Sequence, residues 1–507
     1  MRFIDQRRSD VLILALLPIG GMVSTHHHSI SMSDAIAATR LWRSRAELER
    51  VRTSVCQWHK DRVAADKAHQ YASQLEAVRV ELMATVDRLA AELGKATGST
   101  LATYENCARC DLAVGWLERV FDFFRDKFDQ RKDAGNDAKD SESKRLAEAI
   151  RAADEVVWSC FRPFSRHDWP KEPAPLPYFD ARYSPASVRR DKSLASVVDR
   201  GSGFEFLKDY LKTLPIPVLR LPMATVNTAW ILVTVGHEVG HFVQPLVAAG
   251  YVEQFAALVA GVAQQAGGTK QDAEVWSDCA AEIFADWYSV AVMGPWALWA
   301  IAQFELSNET AMRQRRDRSG YPSAVVRLEL MRQLADDASP PGTKLGTKVL
   351  ESFTVNLGGA GAAADEQRDR SIAAALARRL RGEPLGALGP LHEVVGYDPA
   401  DYGEGGSVVL WSKTLKKELG QRPDRKLEEA RHIASASAAV ASSDGSGDDA
   451  SRRAFASSLR DETFARISAS AVEGTRGVKG EIAVQDPGQA LSSLLLGLGL
   501  PSEMPQG

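Results

Sequence analysis

The sequence predicts a mostly helical chain of the α+β class: a core with a small sheet, flanked by an N-terminal helical bundle and by C-terminal helices. Three observations predict it. Apolar residues recur at helical spacing through most of the 507 residues. One short stretch, LPIPVLRLPM at 214–223, reads as a strand, and Pro217 and Pro222 place it at a sheet edge because proline donates no ladder hydrogen bond. Runs rich in Pro, Gly, Ser and Asp separate the helical stretches. The length allows two or three domains with a substantial core, and 45% hydrophobic with 25% charged residues is ordinary for a globular chain.

Residues 1–31 read as a leader or an over-extended start. MRFIDQRRSDVLILALLPIGGMV resembles a weak signal peptide, with a basic pair before an apolar run. Asp5 and Asp10 flank the arginines, no A-x-A cleavage site follows, and the run is too short to span a bilayer. Met32, in MSDAIAATRLW, offers an alternative natural start. The expected location is the cytoplasm, with export through the apolar segment as the alternative and no stable membrane insertion. His26, His27 and His28 are given no role.

Residues 32–165 read as the N-terminal bundle. The pattern is helical from Ser33 to Leu93, with Leu75, Leu82 and Leu89 at heptad spacing and Val78, Val86 and Leu93 beside them. KATGSTLATYENC breaks it. A second helix, Leu101 to Lys132, carries Trp116, Val120, Phe123 and Phe124 on its apolar side, and a third runs through KRLAEAIRAADEVVWSCF. This bundle is structural or docks a protein partner. Residues 166–213 form a Pro-rich connector without regular structure.

The core spans 214–335. After the strand come a helix from Asn227 to Gln244, stopped by Pro245, a helix from Asp272 to Met293, ended by Gly294-Pro295, and a third in SGYPSAVVRLELMRQLADD. Ala/Leu/Arg-rich helices fill 336–441. Residues 442–507 read as a flexible tail in which DPGQALSSLLLGLGL forms one docking helix.

Charge and cysteine content exclude some classes. A net charge of −4, with local Lys/Arg runs interleaved with acids, points away from nucleic acid. Five cysteines are too few and odd in number for a disulfide scaffold, which fits a reducing compartment. Cys107 and Cys110 form a CxxC pair; a zinc site there requires Cys56 and Cys160 as well, against the plainer reading of buried thiols.

Chemistry concentrates in TVGHEVGHFV, Thr234 to Val243. His237 and His241 are four residues apart, so both imidazoles leave one face of a helix and converge on one metal ion. Glu238, between them, faces the water rather than the metal. A catalytic zinc takes three protein ligands and keeps one position open. The third comes from an acidic stripe of Glu274, Asp278, Glu282 and Asp286 on a helix whose other sides hold Val275, Ile283, Phe284 and Trp287. Buried carboxylates need a charged or metal partner. Glu282 is therefore the expected ligand, Asp278 the reserve, and Asp286 the residue that fixes a ligand histidine's tautomer. The competing reading is a solvated helix face.

VGHEVGH followed by the Glu-x-x-Ala-Asp of EIFAD resembles the zinc metallopeptidases called gluzincins, and is most similar to their Ste24/HtpX-like branch. That branch carries a downstream His-Pro motif with an arginine six residues on. YPSAVVR has the same spacing, with Tyr321 in place of the histidine and Arg327 as the arginine. The resemblance covers 227–335 and implies a zincin-like core with one catalytic Zn2+ and a protein or peptide substrate. It implies Glu238 as general base and Tyr321 or Arg327 as oxyanion donor. His392 is a weaker donor candidate. The strand at Val218 to Leu221 is expected to pair with an extended peptide. The alternatives are a catalytically silent interaction protein of this fold and a zinc hydrolase acting on a non-peptide amide.

Overall fold

The computed structural model describes residues 32–66, 70–95, 100–132, 141–165, 172–182, 185–188, 215–314, 321, 323–353, 363–418, 429–443, 448–471, 476 and 487–497. The leader, with His26, His27 and His28, lies outside them. The described chain is mostly helical, with one three-stranded sheet.

The helical stretch predicted from Ser33 to Leu93 is two helices, α1 (Met32–Ala65) and α2 (Ala72–Gly94). Asp66 makes the turn: its carboxylate accepts the backbone N–H groups of Gln70 and Tyr71 at 2.9 and 2.7 Å. The ion pairs Arg52–Asp87 and His59–Glu76 set α1 and α2 antiparallel. Arg40–Asp111 and Arg62–Asp129 set α3 (Thr100–Asp129) parallel to α1. The heptad leucines Leu75, Leu82 and Leu89 are buried among Val55, Trp58, Leu117 and Phe124. The predicted docking helix is α18 (Gln489–Gly497), which inserts Leu491 and Leu495 into this same core. Ile36, Trp42 and Leu101 remain exposed.

Cys107 and Cys110 are buried in the bundle core, and burial pushes the Cys110 thiol up to about 12, the opposite of what a thiolate ligand needs. Cys160 belongs to the other core and Cys56 is exposed, so the four-cysteine site is not assembled.

α4 (Ser141–Ser165) packs into the larger core rather than the bundle's. The connector expected to be irregular contains β1 (Leu176–Asp180) and β2 (Ala186–Val188). β3 (Val218–Pro222) lies between them, parallel to β1 and antiparallel to β2, so the predicted edge strand is central. The prolines do not forbid this. Pro217 precedes the strand and serves only as acceptor, to Leu176 N–H. Pro222 is its last residue, beyond the three-residue register with β2. Leu176, Tyr178 and Val218 join the bundle core, while Phe179, Leu219 and Leu221 join the larger one. The sheet is thus a two-faced wall between the cores, read out by its period of two.

The larger core is built from α4, α5 (Val235–Val243), α6 (Tyr251–Gln265), α7 (Lys270–Asp278), α8 (Ala280–Met293), α9 (Trp296–Glu305) and α11 (Ala324–Asp337), α10 (Glu309–Arg313) being short. α12 (Leu345–Glu351), α13 (Ala364–Leu380), α14 (Leu391–Val394), α15 (Ser407–Leu415), α16 (Glu429–Ser443) and α17 (Asp449–Ala469) complete it. α17 lies in the tail expected to be flexible, and it packs on α4 and α16. Among the described residues no single helix is long and apolar enough to cross a membrane. Only Ala229–Leu246 and Tyr251–Gln265, bent by 108°, reach that composition together.

Two predicted helices are broken near the site. A 3₁₀ stretch, Ala229–Thr234, leads into α5. The helix expected from Asp272 to Met293 divides at Cys279 into α7, opened by a Thr269/Asp272 capping box, and α8. The four-residue acidic stripe is therefore not one face. Glu274 and Asp278 are exposed, whereas Glu282 is only partly exposed and Asp286 is fully buried.

Candidate metal centre

α5 and α8 cross at two glycines of the histidine motif. A Cβ on Gly236 would lie 2.9 Å from Met293 Cγ, and one on Gly240 would lie 2.8 Å from Ala285 Cα. At Gly240 the neighbour is backbone, so the two helices approach there as a side chain would forbid, while at Gly236 the space is taken by the Met293 and Val292 side chains. His237 and His241 each follow one of these glycines, and Glu282 and Asp286 flank Ala285 on α8. The close crossing carries the ligand atoms together.

Three side chains converge. His237 Nε2 lies 3.2 Å from His241 Nε2 and 3.3 Å from Glu282 Oε2, and His241 Nε2 lies 3.4 Å from Glu282 Oε1. A tetrahedral ion with ligands at about 2.0–2.2 Å needs ligand atoms about 3.3–3.6 Å apart. The donor set, two imidazoles and a carboxylate with atoms within 4.8 Å of one another, can hold one metal ion. It is the only such group among the described residues.

Behind the cluster lies a buried chain of charge. His237 Nδ1 meets Asp286 Oδ1 at 2.8 Å, a bond that fixes the ring and aims Nε2 at the cluster. Arg327 grips the same carboxylate with two bonds, Nη2 to Oδ1 at 2.8 Å and Nε to Oδ2 at 2.9 Å. The Tyr321 hydroxyl donates to Oδ2 at 2.6 Å, and the Arg327 guanidinium lies over its ring at 4.9 Å. Glu305, at the end of α9, accepts from Arg327 Nη1 at 2.8 Å.

Burial works upward on Asp286, yet Arg327 and His237 outweigh it and hold the carboxyl well below its usual range. Burial likewise opposes ionisation of Glu282, and the neighbouring His241, His237 and Arg327 bring it down to about 2. For the metal-free cluster, burial depresses His237, but its bonds to Asp286 and Glu282 prevail and raise it to about 10. His241 is lowered to about 4, chiefly by burial. Burial and the Asp286 charge hold the Tyr321 phenol protonated far above its usual range.

The structure thus brings together His237, His241, Glu282, Asp286, Tyr321 and Arg327. Glu238 is buried on α5 directly after His237. Asp278, the reserve ligand, is exposed at the end of α7. His392 is exposed on α14 and pairs with Glu393 at 3.8 Å. Tyr321 and Arg327 both bond Asp286, the carboxylate on His237 Nδ1, and Arg327 Nη2 also lies 3.9 Å from Glu282 Oε2. Two features escaped sequence reasoning. Glu305 is the lone acid ending the apolar WALWAIAQFE, a weak but legible signal. The G-x-x-x-G spacing inside GHEVG was visible, but its role depends on α8. Comparison with protein-family models, curated proteins and solved structures gives no match.

Proposed function

We propose that the chain is a zinc-dependent metallopeptidase of the gluzincin type, hydrolysing peptide bonds with Glu238 as general base. One observation carries the reading: His237, His241 and Glu282, from two helices, bring two imidazole Nε2 atoms 3.2 Å apart, with one Glu282 oxygen 3.3 Å from the first and the other oxygen 3.4 Å from the second, while Glu238 follows the first ligand on the same helix. Three protein ligands leave one position of a four-coordinate ion for water, the pattern of catalytic rather than structural zinc.

When bound, zinc supplies a Lewis acid and a water acidified towards neutrality. His237 and His241 present Nε2 lone pairs, and Asp286 keeps the His237 proton on Nδ1. Glu238 takes the proton of the attacking water and returns it to the leaving amine. Tyr321 and Arg327 act through Asp286 as positioning residues. Substrate pairing along β3 has no place in the mechanism, because that strand has neighbours on both sides. The cysteines, all free among the described residues, support a reducing compartment and hence the cytoplasm. Exposed Trp42 and Leu101 support a protein partner at the bundle.

The test is zinc content by mass spectrometry together with proteolysis of an unfolded protein such as casein, or of the chain itself. Glu238→Gln is expected to keep its zinc and lose roughly 10²–10⁴-fold in rate. Zinc-free wild type, or a variant as active as wild type, would sink the peptidase reading. Zinc with no proteolysis would move the choice to the interaction protein or to an amidase, which a panel of non-peptide amides separates.

A further inference from the structure

We infer that the chain carries, apart from the metal cluster, a binding site for a small organic anion with an apolar body. The site is a cavity of about 510 Å³ where the end of α1, the start of α2 and the end of α3 meet α4 and the end of α17. Small-molecule sites are typically about 300–1,000 Å³, largely apolar, with a few placed polar groups.

Its apolar wall is Tyr71, Leu75 and Phe128, all buried, with the two rings edge-to-face at 6.4 Å. A body of similar character is what such a wall accepts. The polar wall decides the charge. Three carboxylates line the cavity, and each is engaged. Asp66 accepts the backbone N–H groups of Gln70 and Tyr71. Asp154 holds Arg131 through two bonds, at 2.9 and 2.6 Å, and Glu155 pairs with Arg476. Two donors are less well served. Arg62, with its side chain only 15% exposed, reaches a single carboxylate among the described residues, Asp129, at 3.6 Å, and Asp129 is also held by Lys132 at 3.0 Å. The Ser468 hydroxyl on the same wall is buried without a hydrogen-bond partner among the described residues.

Buried polar groups are normally satisfied, and a guanidinium most of all. With each lining carboxylate engaged and Arg62 and Ser468 still able to donate, the complementary ligand is rich in acceptors and negatively charged. A carboxylate on an aromatic or aliphatic body meets both walls, its oxygens at Arg62 and Ser468 and its body against Tyr71 and Phe128. The inference does not depend on the peptidase reading.

Titration calorimetry of the full chain with 2-naphthoate, and with the uncharged 2-naphthylmethanol, tests it. Wild type is expected to bind naphthoate saturably and about tenfold or more tighter than the alcohol, the worth of one charge-assisted hydrogen bond. Arg62→Gln should erase that preference. Ala65→Trp, at an exposed position on the rim, should block naphthoate while leaving the urea midpoint unchanged, which guards against a folding defect in the first variant. Wild type binding both compounds equally or neither, Arg62→Gln keeping the preference, or Ala65→Trp keeping the affinity overturns the inference.

Discussion

Replacing Gly240 by alanine sets two effects of opposite sign against each other. In a helix interior, glycine to alanine gains about 1 kcal/mol from backbone entropy. At Gly240 the new Cβ would lie 2.8 Å from Ala285 Cα, 3.1 Å from Tyr288 Cβ and 3.2 Å from Ala285 O. None of these is the far end of a flexible side chain. To reach ordinary contact the first pair has to open from 2.8 to at least 3.4 Å, so α5 and α8 must separate by about 0.6 Å. Overpacking of this kind costs about 1–3 kcal/mol, which cancels or exceeds the helix gain. The separation also pulls His241 from Glu282, and metal sites tolerate only about 0.2 Å in ligand distance. Zinc affinity should fall by about ten- to a hundredfold.

Gly261, mid-α6 with no atom within 4 Å of the place a Cβ would occupy, is the control. Gly261→Ala should raise the urea midpoint and leave zinc affinity alone. Gly240→Ala should fail to raise the midpoint and should weaken zinc in a chelator-competition titration. If Gly240→Ala proves as stabilising as Gly261→Ala and binds zinc as tightly as wild type, the close crossing does not assemble the site.

Two further outcomes follow from the charge chain. Tyr321→Phe removes a 2.6 Å bond to a fully buried carboxylate and should cost about 1.5–3 kcal/mol by urea denaturation. A loss below about 0.5 kcal/mol, the usual size for a neutral surface change, would mean that Arg327 and His237 already satisfy Asp286. In chelated protein, His237, raised to about 10, contributes stability that is complete below its unfolded value near 6.5 and is lost as pH rises through about 10. His241, lowered to about 4, gives the opposite slope, with stability lost as pH falls from about 6.5 to about 4. Glu282, held at about 2, adds stability above its unfolded value near 4.5 that disappears as pH falls through about 2. The cluster's contribution to metal-free stability therefore peaks near pH 6.5, and zinc binding at pH 8 should release about one proton, read from calorimetry in buffers of different ionisation enthalpy. Stability of the chelated protein that climbs steadily from pH 7 to 10, or zinc binding without proton release, would refute the protonation of His237.

What was legible in the sequence was whatever a single helix determines. Periodicity located the bundle helices, and the four-residue step of His237 and His241 placed both on one face of α5. Glu282 and Asp286 were legible as carboxylates on an otherwise apolar segment. Pairing was not legible. β1, LPYFD, carries its proline inside a strand whose two faces are both apolar, so it has no alternation of polarity to reveal it, and nothing local tells β3 that it has two neighbours. The break at Cys279 was hidden because both halves continue the same helical pattern; it shows only as the exposure of Asp278 against the burial of Asp286. Glu305 and the Tyr321 hydroxyl bond required knowing which helices touch.

The same network says what charge the cluster is built to receive. Glu282, Asp286 and Glu305 are joined through a single arginine, Arg327, and all lie within or beside the buried core. Glu282 and Asp286 are two carboxylates on one guanidinium, which leaves a negative excess at the cluster when both histidines are neutral. Charge left uncompensated in a dry interior costs several kcal/mol per ion. A proton on His237 offsets that excess, which is the physical reason its ring holds a proton so far above the ordinary histidine range in the metal-free cluster. A metal cation on His237, His241 and Glu282 would take the proton's place and needs both Nε2 atoms bare. The carboxylates behind the cluster, and not only the ligands at its face, therefore favour a cation there.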